Sequence, residues 1–282
     1  MTASLVFVIL DHRHDEYFDD LVRSLRAFCP GAEIVWYDSG HGPAAGAGWS
    51  DAAVPRLPCS RPFAYAKVMP FFFDMFEWAS DRGYEQVVNV ETDMAFLRPG
   101  FSEFLKRAMR GVDYLAPGFC RATPKTSRWR PYHSLRPKLP ELLSILGIDY
   151  TNRCFSPGQV FSAKYMATLL AHPVAPEIRM FVERNQGPDG SFSLQEVLLP
   201  TLADVFGLTV QDYPPRLSTF NRYRPYQGKD SVARAISVPD VYFIHPVRRD
   251  ERDPARMAVR GLISRAASRR DPHEKAGPLW PS

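Results

Sequence analysis

The chain has 282 residues, of which 45% are hydrophobic and 23% charged, so it can bury the core of a large α/β domain. This composition excludes a coiled coil, a collagen-like chain and a small disulfide-stabilised domain. The net charge is +4, and nine Lys and Arg against five Asp and Glu from Arg248 onward account for all of it. The neutral remainder argues against a nucleic-acid-binding domain.

The beginning of the chain predicts a strand–helix–strand unit. Residues 5–10 form a continuous apolar run, which is typical of a strand covered on both faces. Apolar residues then recur at helical spacing over 17–28, and residues 33–37 predict a second strand that ends at Asp38. Such a unit normally builds a parallel sheet.

The next segment predicts a third strand between two helices. An apolar stripe over 64–79 predicts a long helix with a kink at Pro70. Residues 86–90 predict a buried strand, residues 100–110 a helix and residues 112–115 a further strand.

The second half alternates short helices and strands without an internal repeat or a linker. We predict irregular structure over 116–138, helices near 139–146, 163–171, 175–184, 192–206 and 253–269, strands at 158–162, 208–211 and 241–244, and a loop over 213–240. The predicted architecture is one α/β domain over 1–250 with a mostly parallel sheet, flanking helices and long loops. A basic helix and tail over 251–282 pack on the same domain.

The cysteines and the N-terminus favour a cytoplasmic protein. No two cysteines have the spacing of a zinc or redox motif, which predicts free thiols in a reducing compartment. The first apolar run is short and lacks a basic leader, so we interpret it as a strand and not as a signal peptide. The four cysteines are Cys29, Cys59, Cys120 and Cys154.

Two carboxylates follow the predicted strand over 86–90. Glu91 and Asp93 stand two residues apart, so in an extended chain they point the same way. Ligands of open α/β sheets bind at the carboxyl ends of the strands. The pair could bind Mg²⁺ or Mn²⁺ together with a pyrophosphate, or it could be a cap and turn pair.

The order of these parts resembles the nucleotide-sugar glycosyltransferases of the GT-A fold, which carry an aspartate–any–aspartate motif after an apolar strand. The match comprises FAYAKVMPFFFDMFEWA followed by GYEQVVNVETDMAFL. The resemblance implies a GT-A-like, Rossmann-type sheet and a metal-dependent hexosyltransferase that uses a nucleotide-sugar, most simply a UDP-sugar. It places Asp93 on the metal and donor phosphates and Lys67 beside those phosphates. Glu91 replaces the usual first aspartate.

The resemblance also implies residues for catalysis and for the third metal ligand. The segment FSPGQVF over 155–161 matches a strand that lines the acceptor side. Glu196 is the first candidate for the catalytic base, or else a capping-box residue with Ser193, and Asp189 is the second. His245 follows the last predicted strand as a metal ligand or a turn residue.

Further residues could bind the donor or an anionic acceptor. Asp11 and Asp38, at the ends of the first two strands, match the positions that hold the nucleoside in this family, or else each is a plain helix-cap or turn aspartate. Arg222 stands in an aromatic loop with Arg224 and is a candidate for the donor. A basic, aromatic stretch over 116–138 could bind an anionic acceptor or close over pyrophosphate; its cations include Arg121, Lys125, Arg128 and Arg130.

Several other classes of protein remain alternatives. A haloacid-dehalogenase-like phosphatase also needs paired carboxylates, but its first one must be an aspartate and its motif lies on the first strand. A sugar nucleotidyltransferase would show a glycine-rich basic signature after its first strand, where this chain has Asp11-His12-Arg13-His14. A degenerate transferase that binds nucleotide-sugar without turnover is the non-catalytic alternative.

The C-terminal helix could serve either of two roles. Arginines along it would allow weak contact with an anionic membrane surface, at the inner face of the membrane. Its apolar stripe is thin, which favours a helix packed on the body, with Arg248 or Arg249 turned towards the donor phosphates.

Overall fold

The computed structural model describes residues 4–40, 54–123 and 129–268, and helices flank its central sheet. The strands are β1 (Leu5–Asp11), β2 (Glu33–Asp38), β3 (Gln86–Glu91), β4 (Ala95–Phe96), β5 (Tyr114–Leu115), β6 (Cys120–Arg121), β7 (Asn152–Arg153), β8 (Val160–Ser162), β9 (Val210–Gln211) and β10 (Phe243–Ile244). The helices are α1 (Glu16–Phe28), α2 (Met69–Asp81), α3 (Phe101–Ala108), α4 (Arg130–Leu135), α5 (Leu139–Leu146), α6 (Ala163–Ala171), α7 (Ala175–Arg184), α8 (Gln195–Val205), α9 (Pro215–Ser218), α10 (Lys229–Ser237) and α11 (Pro254–Ser268).

The central sheet has six strands in the order β2-β1-β3-β8-β5-β9. β1 pairs in parallel with β2 and β3, and β5 with β9, whereas β8 runs antiparallel to both of its neighbours. The predicted α/β class with a mostly parallel sheet is therefore confirmed. The carboxyl ends of β1, β2 and β3 meet at one edge, where Asp11, Asp38 and Glu91 are the last strand residues.

Helices cover both faces of the sheet because its central strands are apolar on both sides. Along β1, Val6 and Val8 pack into the core that includes α2, α6 and α8. Phe7 and Ile9 pack into the opposite core, which includes α1 and α3. Successive side chains of a strand point to opposite faces, so one continuous apolar run serves two cores.

The helix predicted over 64–79 begins later in the structure, at Met69. Pro70 lies in its first turn and does not produce a kink. A proline lacks the N–H that a helix interior needs, but first-turn N–H groups have no partner within the helix. Because the helix begins only at Met69, the residues just before it are not helical, and several of them, such as Phe63 and Tyr65, line a cleft.

Two stretches predicted as irregular contain regular elements. The stretch over 116–138 includes β6 and α4, and the predicted loop over 213–240 includes α9 and α10. In α10 the apolar signal is short, since Val232 and Ala235 are its buried apolar residues. Two such positions are too few for periodicity to show a helix.

The four cysteines are free, as predicted. Across the ranges that the structure describes, no helix is both long enough and apolar enough to cross a bilayer.

The C-terminal helix α11 packs against α1 and α10, and a buried ion pair joins it to α1. Asp20 of α1 accepts hydrogen bonds from Arg256 Nη1 at 2.8 Å and from Arg260 Nε at 2.9 Å. The side chains of Asp20 and Arg256 are only 7% and 5% exposed. Arg256 also donates to the carbonyl oxygen of Arg248 at 3.0 Å, so α11 is linked to the segment that precedes it. Membrane contact by this helix stays a prediction.

We expect Asp20→Ala to lower the free energy of unfolding by about 3 kcal/mol, because it leaves the buried Arg256 guanidinium without its carboxylate. Urea denaturation measures this change. Glu177→Ala removes an exposed carboxylate on α7 and should change the stability by less than about 0.5 kcal/mol. Equal effects of the two substitutions would contradict a stabilising role for Asp20.

Candidate active site

Three potential metal ligands meet beyond the carboxyl end of β3. Glu91 ends β3, Asp93 follows it after Thr92, and His245 directly follows β10. One ligand atom from each of Glu91, Asp93 and His245 lies within 4.8 Å of the others. Two carboxylates and an imidazole suit a divalent cation such as Mn²⁺ or Mg²⁺, so the residues present fit the predicted metal.

The orientation of His245 is fixed by a backbone carbonyl. Its Nδ1 lies 2.9 Å from the carbonyl oxygen of Arg222, which can only accept a hydrogen bond. The proton is therefore on Nδ1, and Nε2 faces Asp93 Oδ1 at 3.1 Å. A carbonyl that holds the outer nitrogen of a histidine in this way is the usual support for a metal-binding imidazole.

The charges of the three residues depend on each other. Burial and then the negative charge of Asp93 raise the pKa of Glu91 to about 7. Burial also acts to raise the pKa of Asp93, but His245 and Arg249 outweigh it and hold that pKa below its usual value. Two carboxylates so close repel each other, and a bound cation would remove that repulsion.

Glu196 lies on the same cleft floor, near the start of α8. Its Oε1 accepts a hydrogen bond from the backbone N–H of Ser156 at 3.3 Å. Burial, and then the charge of Glu91, raise the pKa of Glu196 to about 8. Glu196 lines the cleft. The N-cap of α8 is Leu194 and not Ser193, whose N–H donates to the carbonyl oxygen of Ala66. The Glu196 carboxylate accepts from Ser156, so the capping-box interpretation with Ser193 is wrong.

The segment between β7 and β8 brings the cleft floor against β10. Gly158 has a φ of +85°, and a Cβ there would lie 2.8 Å from the Phe243 ring, so this turn requires glycine. Asn89 Nδ2 of β3 donates to the carbonyl oxygen of Ser156 at 3.1 Å. Phe155 packs beside His245 with the two rings tilted by 57° and their centroids 5.2 Å apart.

These groups line a cleft of about 720 Å³. Its floor is acidic and its walls are basic and aromatic. The acidic floor consists of Glu91, Asp93 and Glu196; the basic and aromatic walls include His12, Arg13, Phe63, Tyr65, Trp129, Arg130, Phe155, Phe192, Tyr223, Arg224, Tyr226 and Arg249. A cleft of this volume is large enough for a nucleotide-sugar-sized ligand.

Arg249 is a cation of the cleft wall that contacts the segment between the two candidate carboxylate ligands. Its Nη2 lies 3.2 Å from Asp11 Oδ1, and it donates to the Thr92 hydroxyl. It also acts electrostatically on Glu91 and Asp93. The sequence identified Arg249 as an alternative to Arg248, but its position at the metal ligands comes from the long-range packing of α11.

The two predicted nucleoside-binding aspartates make local contacts. Asp11 is buried, and its Oδ2 accepts hydrogen bonds from the backbone N–H groups of Arg13 and His14 at 3.2 and 2.5 Å. Asp38 accepts from Gly40 N–H at 3.0 Å and pairs with Arg56 at 3.2 Å. Both stand at the predicted sheet edge, and the neighbouring residues of each loop line the cleft.

Three other predicted residues lie beside the cleft without lining it. Lys67 donates to the carbonyl oxygen of Gly190. Asp189 is exposed on the same loop as Gly190. The Arg222 side chain donates to the carbonyl oxygen of Pro225 at 3.0 Å, so its contribution to the site is the carbonyl that orients His245.

Of the basic stretch over 116–138, Arg130 lines the cleft. Arg121 instead stacks on Tyr150, with its guanidinium carbon 3.5 Å from the ring centroid. Lys125 and Arg128 lie outside the described residues. Tyr65 and Phe192 are wall residues that no sequence motif identified, although Tyr65 stands only two residues before Lys67 in the matched segment.

No protein-family profile matches the chain, and no curated protein is significantly similar in sequence. Among solved structures, it is similar to the galactosyltransferase LgtC in complex with donor and acceptor sugar analogs, with 13% identity, a TM-score of 0.48, and coverage of 93% of this chain and 95% of that one. An active-site mutant of LgtC gives 13% identity, a TM-score of 0.49 and coverage of 92% and 95%.

A third similar structure is core-mannan synthase A from Aspergillus fumigatus in its Mn/GDP form, with 10% identity, a TM-score of 0.39 and coverage of 74% and 72%. These neighbours are glycosyltransferases of the GT-A fold, the kind of protein that the sequence resembles. With identities this low, a function for the chain has to come from the chemistry of its own site.

Proposed function

We propose that the protein is a glycosyltransferase that moves a sugar from a nucleotide-sugar, most simply a UDP-sugar, to a hydroxyl group of an acceptor. One observation supports this proposal above all. The ligand atoms of Glu91, Asp93 and His245 converge in a large cleft, with the buried carboxylate of Glu196 on the same floor. A diphosphate leaving group needs positive charge, which a cation held by the three ligands would supply. An attacking hydroxyl needs a base, and Glu196 is a carboxylate in the same cleft.

Glu91, Asp93 and His245 would hold a divalent cation, Mn²⁺ or Mg²⁺. Such a cation supplies Lewis-acid stabilisation of the charge that develops on a leaving diphosphate. Arg249 adds a second positive charge beside these ligands and would bind the phosphate oxygens. Thr92 and Asp11 hold the Arg249 guanidinium in place.

Glu196 would accept the proton of the attacking hydroxyl. In this reaction the acceptor oxygen forms a bond to the anomeric carbon while the bond from that carbon to the diphosphate breaks. The proton moves to the Glu196 carboxylate and the electron pair leaves with the nucleotide. A base whose pKa is raised to about 8 holds a proton more strongly than an ordinary carboxylate does, which favours its transfer. A base in this position fits a single displacement with inversion.

A nucleotide-sugar hydrolysis assay tests the proposal. UDP-sugars and GDP-sugars are incubated with the full chain and Mn²⁺, and release of nucleotide is measured with and without EDTA. We expect slow, metal-dependent release for at least one donor, because water can replace the acceptor. Binding without release would instead indicate a degenerate binding protein. Formation of nucleoside triphosphate from donor and pyrophosphate would indicate a nucleotidyltransferase, and either result would overturn the proposal.

A further inference from the structure

One wall of the cleft carries positive charge that the metal cluster does not use. Arg130, at the start of α4, lines the cleft and is exposed, and it has no carboxylate partner among the residues that the structure describes. Its guanidinium carbon lies 3.9 Å from the centroid of the Phe192 ring. Lys67 and Lys138 do not line the cleft, and Lys67 donates to the carbonyl oxygen of Gly190, but their charges act beside Arg130; we call the three residues the basic rim.

The three cations of the basic rim repel each other. Burial, and then the charge of Lys138, lower the pKa of Lys67; Arg130 acts in the same direction and Asp189 acts against it. Positive charges beside a cleft attract an anion to it. A bound carboxylate or phosphate would interact favourably with these cations.

Hydrogen bonds join the segments that carry the basic rim into one wall. Phe192 N–H donates to the Ser134 hydroxyl of α4 at 2.8 Å. Ser193 N–H donates to the carbonyl oxygen of Ala66 at 2.8 Å. These bonds tie α4 and the segment before α2 to the loop that leads into α8. The rim is therefore presented at a fixed position relative to Glu196, which lies in the first turn of α8.

The same wall exposes aromatic surface. Tyr65 is 79% exposed and contacts Phe192 with ring centroids 6.0 Å apart, and Trp129 lines the cleft beside Arg130. Tyr65, Phe192 and Trp129 together give the cleft an aromatic lining that a ligand can contact. Aromatic rings supply large apolar contact area, which suits the C–H faces of a sugar ring.

The basic rim and the metal cluster are held by different contacts. Arg249 contacts Asp11 and Thr92 beside the metal ligands, whereas Arg130 lies over the Phe192 ring. A donor diphosphate at the metal cluster would be neutralised by the metal and Arg249. The basic rim is therefore left for an anion on the other reactant.

We propose that the acceptor is an acidic sugar, whose carboxylate or phosphate binds at the basic rim while its sugar ring lies against Tyr65 and Phe192. The role of this sugar as the acceptor rests on the proposed function, but the binding of the sugar can be measured without turnover. Arg130 would form a charge-assisted hydrogen bond with the anion, and the lysines would add point charges.

Saturation-transfer NMR on the full chain with Mn²⁺ and UDP tests this inference, with glucuronic acid, glucose 6-phosphate and glucose as probes. We expect at least one of the two anionic sugars to bind at least about 10-fold more tightly than glucose, since charge-assisted contacts contribute about one such factor each. Arg130→Gln with Lys138→Gln should remove that preference. The control Arg110→Gln removes an exposed arginine at the end of α3 and should leave it unchanged.

A preference for glucuronic acid would identify a carboxylate ligand, and a preference for glucose 6-phosphate a phosphate ligand; either supports the inference. Three results would overturn it: equal binding of all three sugars, no binding of any, or a preference that survives in the double variant. Donor hydrolysis separates the two proposals. Donor hydrolysis by the wild type and by the control Arg110→Gln counts for or against the proposed function, whereas equal binding of the three sugars to a wild type that hydrolyses the donor counts against this inference alone.

Discussion

Asp93→Asn should reduce metal-dependent transfer at least about 100-fold, because it removes the negative charge from the centre of the metal-ligand cluster. Asp93 contacts a second ligand directly, since its Oδ1 lies 3.1 Å from His245 Nε2. Its carboxylate is 26% exposed on the cleft floor, so it is open to an ion from solution. Asparagine keeps the shape of the side chain, and its amide oxygen is a weaker ligand for a hard cation.

Thermal unfolding with and without Mn²⁺ provides a readout that does not depend on turnover. An ion that binds the folded protein at 100 times its Kd adds about 2.7 kcal/mol of stability, so Mn²⁺ should raise the Tm of the wild type. It should not raise the Tm of Asp93→Asn. Asp230→Asn changes an exposed aspartate at the start of α10 and serves as the control. Wild-type turnover by Asp93→Asn would exclude the metal assignment.

The sequence predicts the sheet edge of the site because the physics that places it there is local. β1 and β3 are apolar runs buried on both faces, and such runs pair in parallel within α/β units. The carboxyl end of β3 then presents Glu91 and Asp93 to the cleft. The two residues are near in the chain, so their proximity does not depend on the rest of the fold.

The parts of the site that come from distant segments are harder to predict. His245 reaches Asp93 because β10 pairs with β4, which follows the acidic motif. Its ring is then set by the carbonyl of Arg222, a backbone atom that no sequence pattern reveals. The sequence also does not reveal the hydrogen-bond partner of a side chain, as Lys67 shows. It stands where the resemblance places a phosphate ligand, yet its ammonium group contacts Gly190.

Burial by distant segments, together with the charge of Glu91, also explains why the pKa of Glu196 differs from that of an ordinary helix glutamate. At the sequence level, Ser193 and Glu196 have the spacing of a capping box. In the fold, α8 begins beneath the cleft, and Glu196 is held by Ser156 N–H from a different segment. Burial and the nearby charge of Glu91 then set its protonation, and both depend on the assembled site.

Glu196→Gln should lower the rate of transfer by about 100-fold or more, because general-base catalysis contributes factors of about 10²–10⁴. The amide oxygen of glutamine can still accept the hydrogen bond from Ser156 N–H, so the fold should be kept. Transfer by the wild type should increase with pH up to about 8, as the base form of Glu196 becomes populated. The variant should lack this rise. Glu177→Gln, at an exposed position on α7, is the matched control.

The same pKa predicts how stability depends on pH. The pKa of Glu196 is about 8 in the folded protein and 4.5 as its ordinary value, so the folded state holds the proton more tightly. Its contribution to stability is fully present below pH 4.5, declines as the pH rises and is lost above about 8. Glu196→Gln removes this loss, since glutamine does not titrate. In EDTA, urea denaturation should therefore show the variant gaining stability relative to the wild type between pH 5 and pH 9, by an amount of roughly a few kcal/mol. A constant difference across that range would show that Glu196 has an ordinary pKa, and its assignment as the base would then lose its electrostatic support.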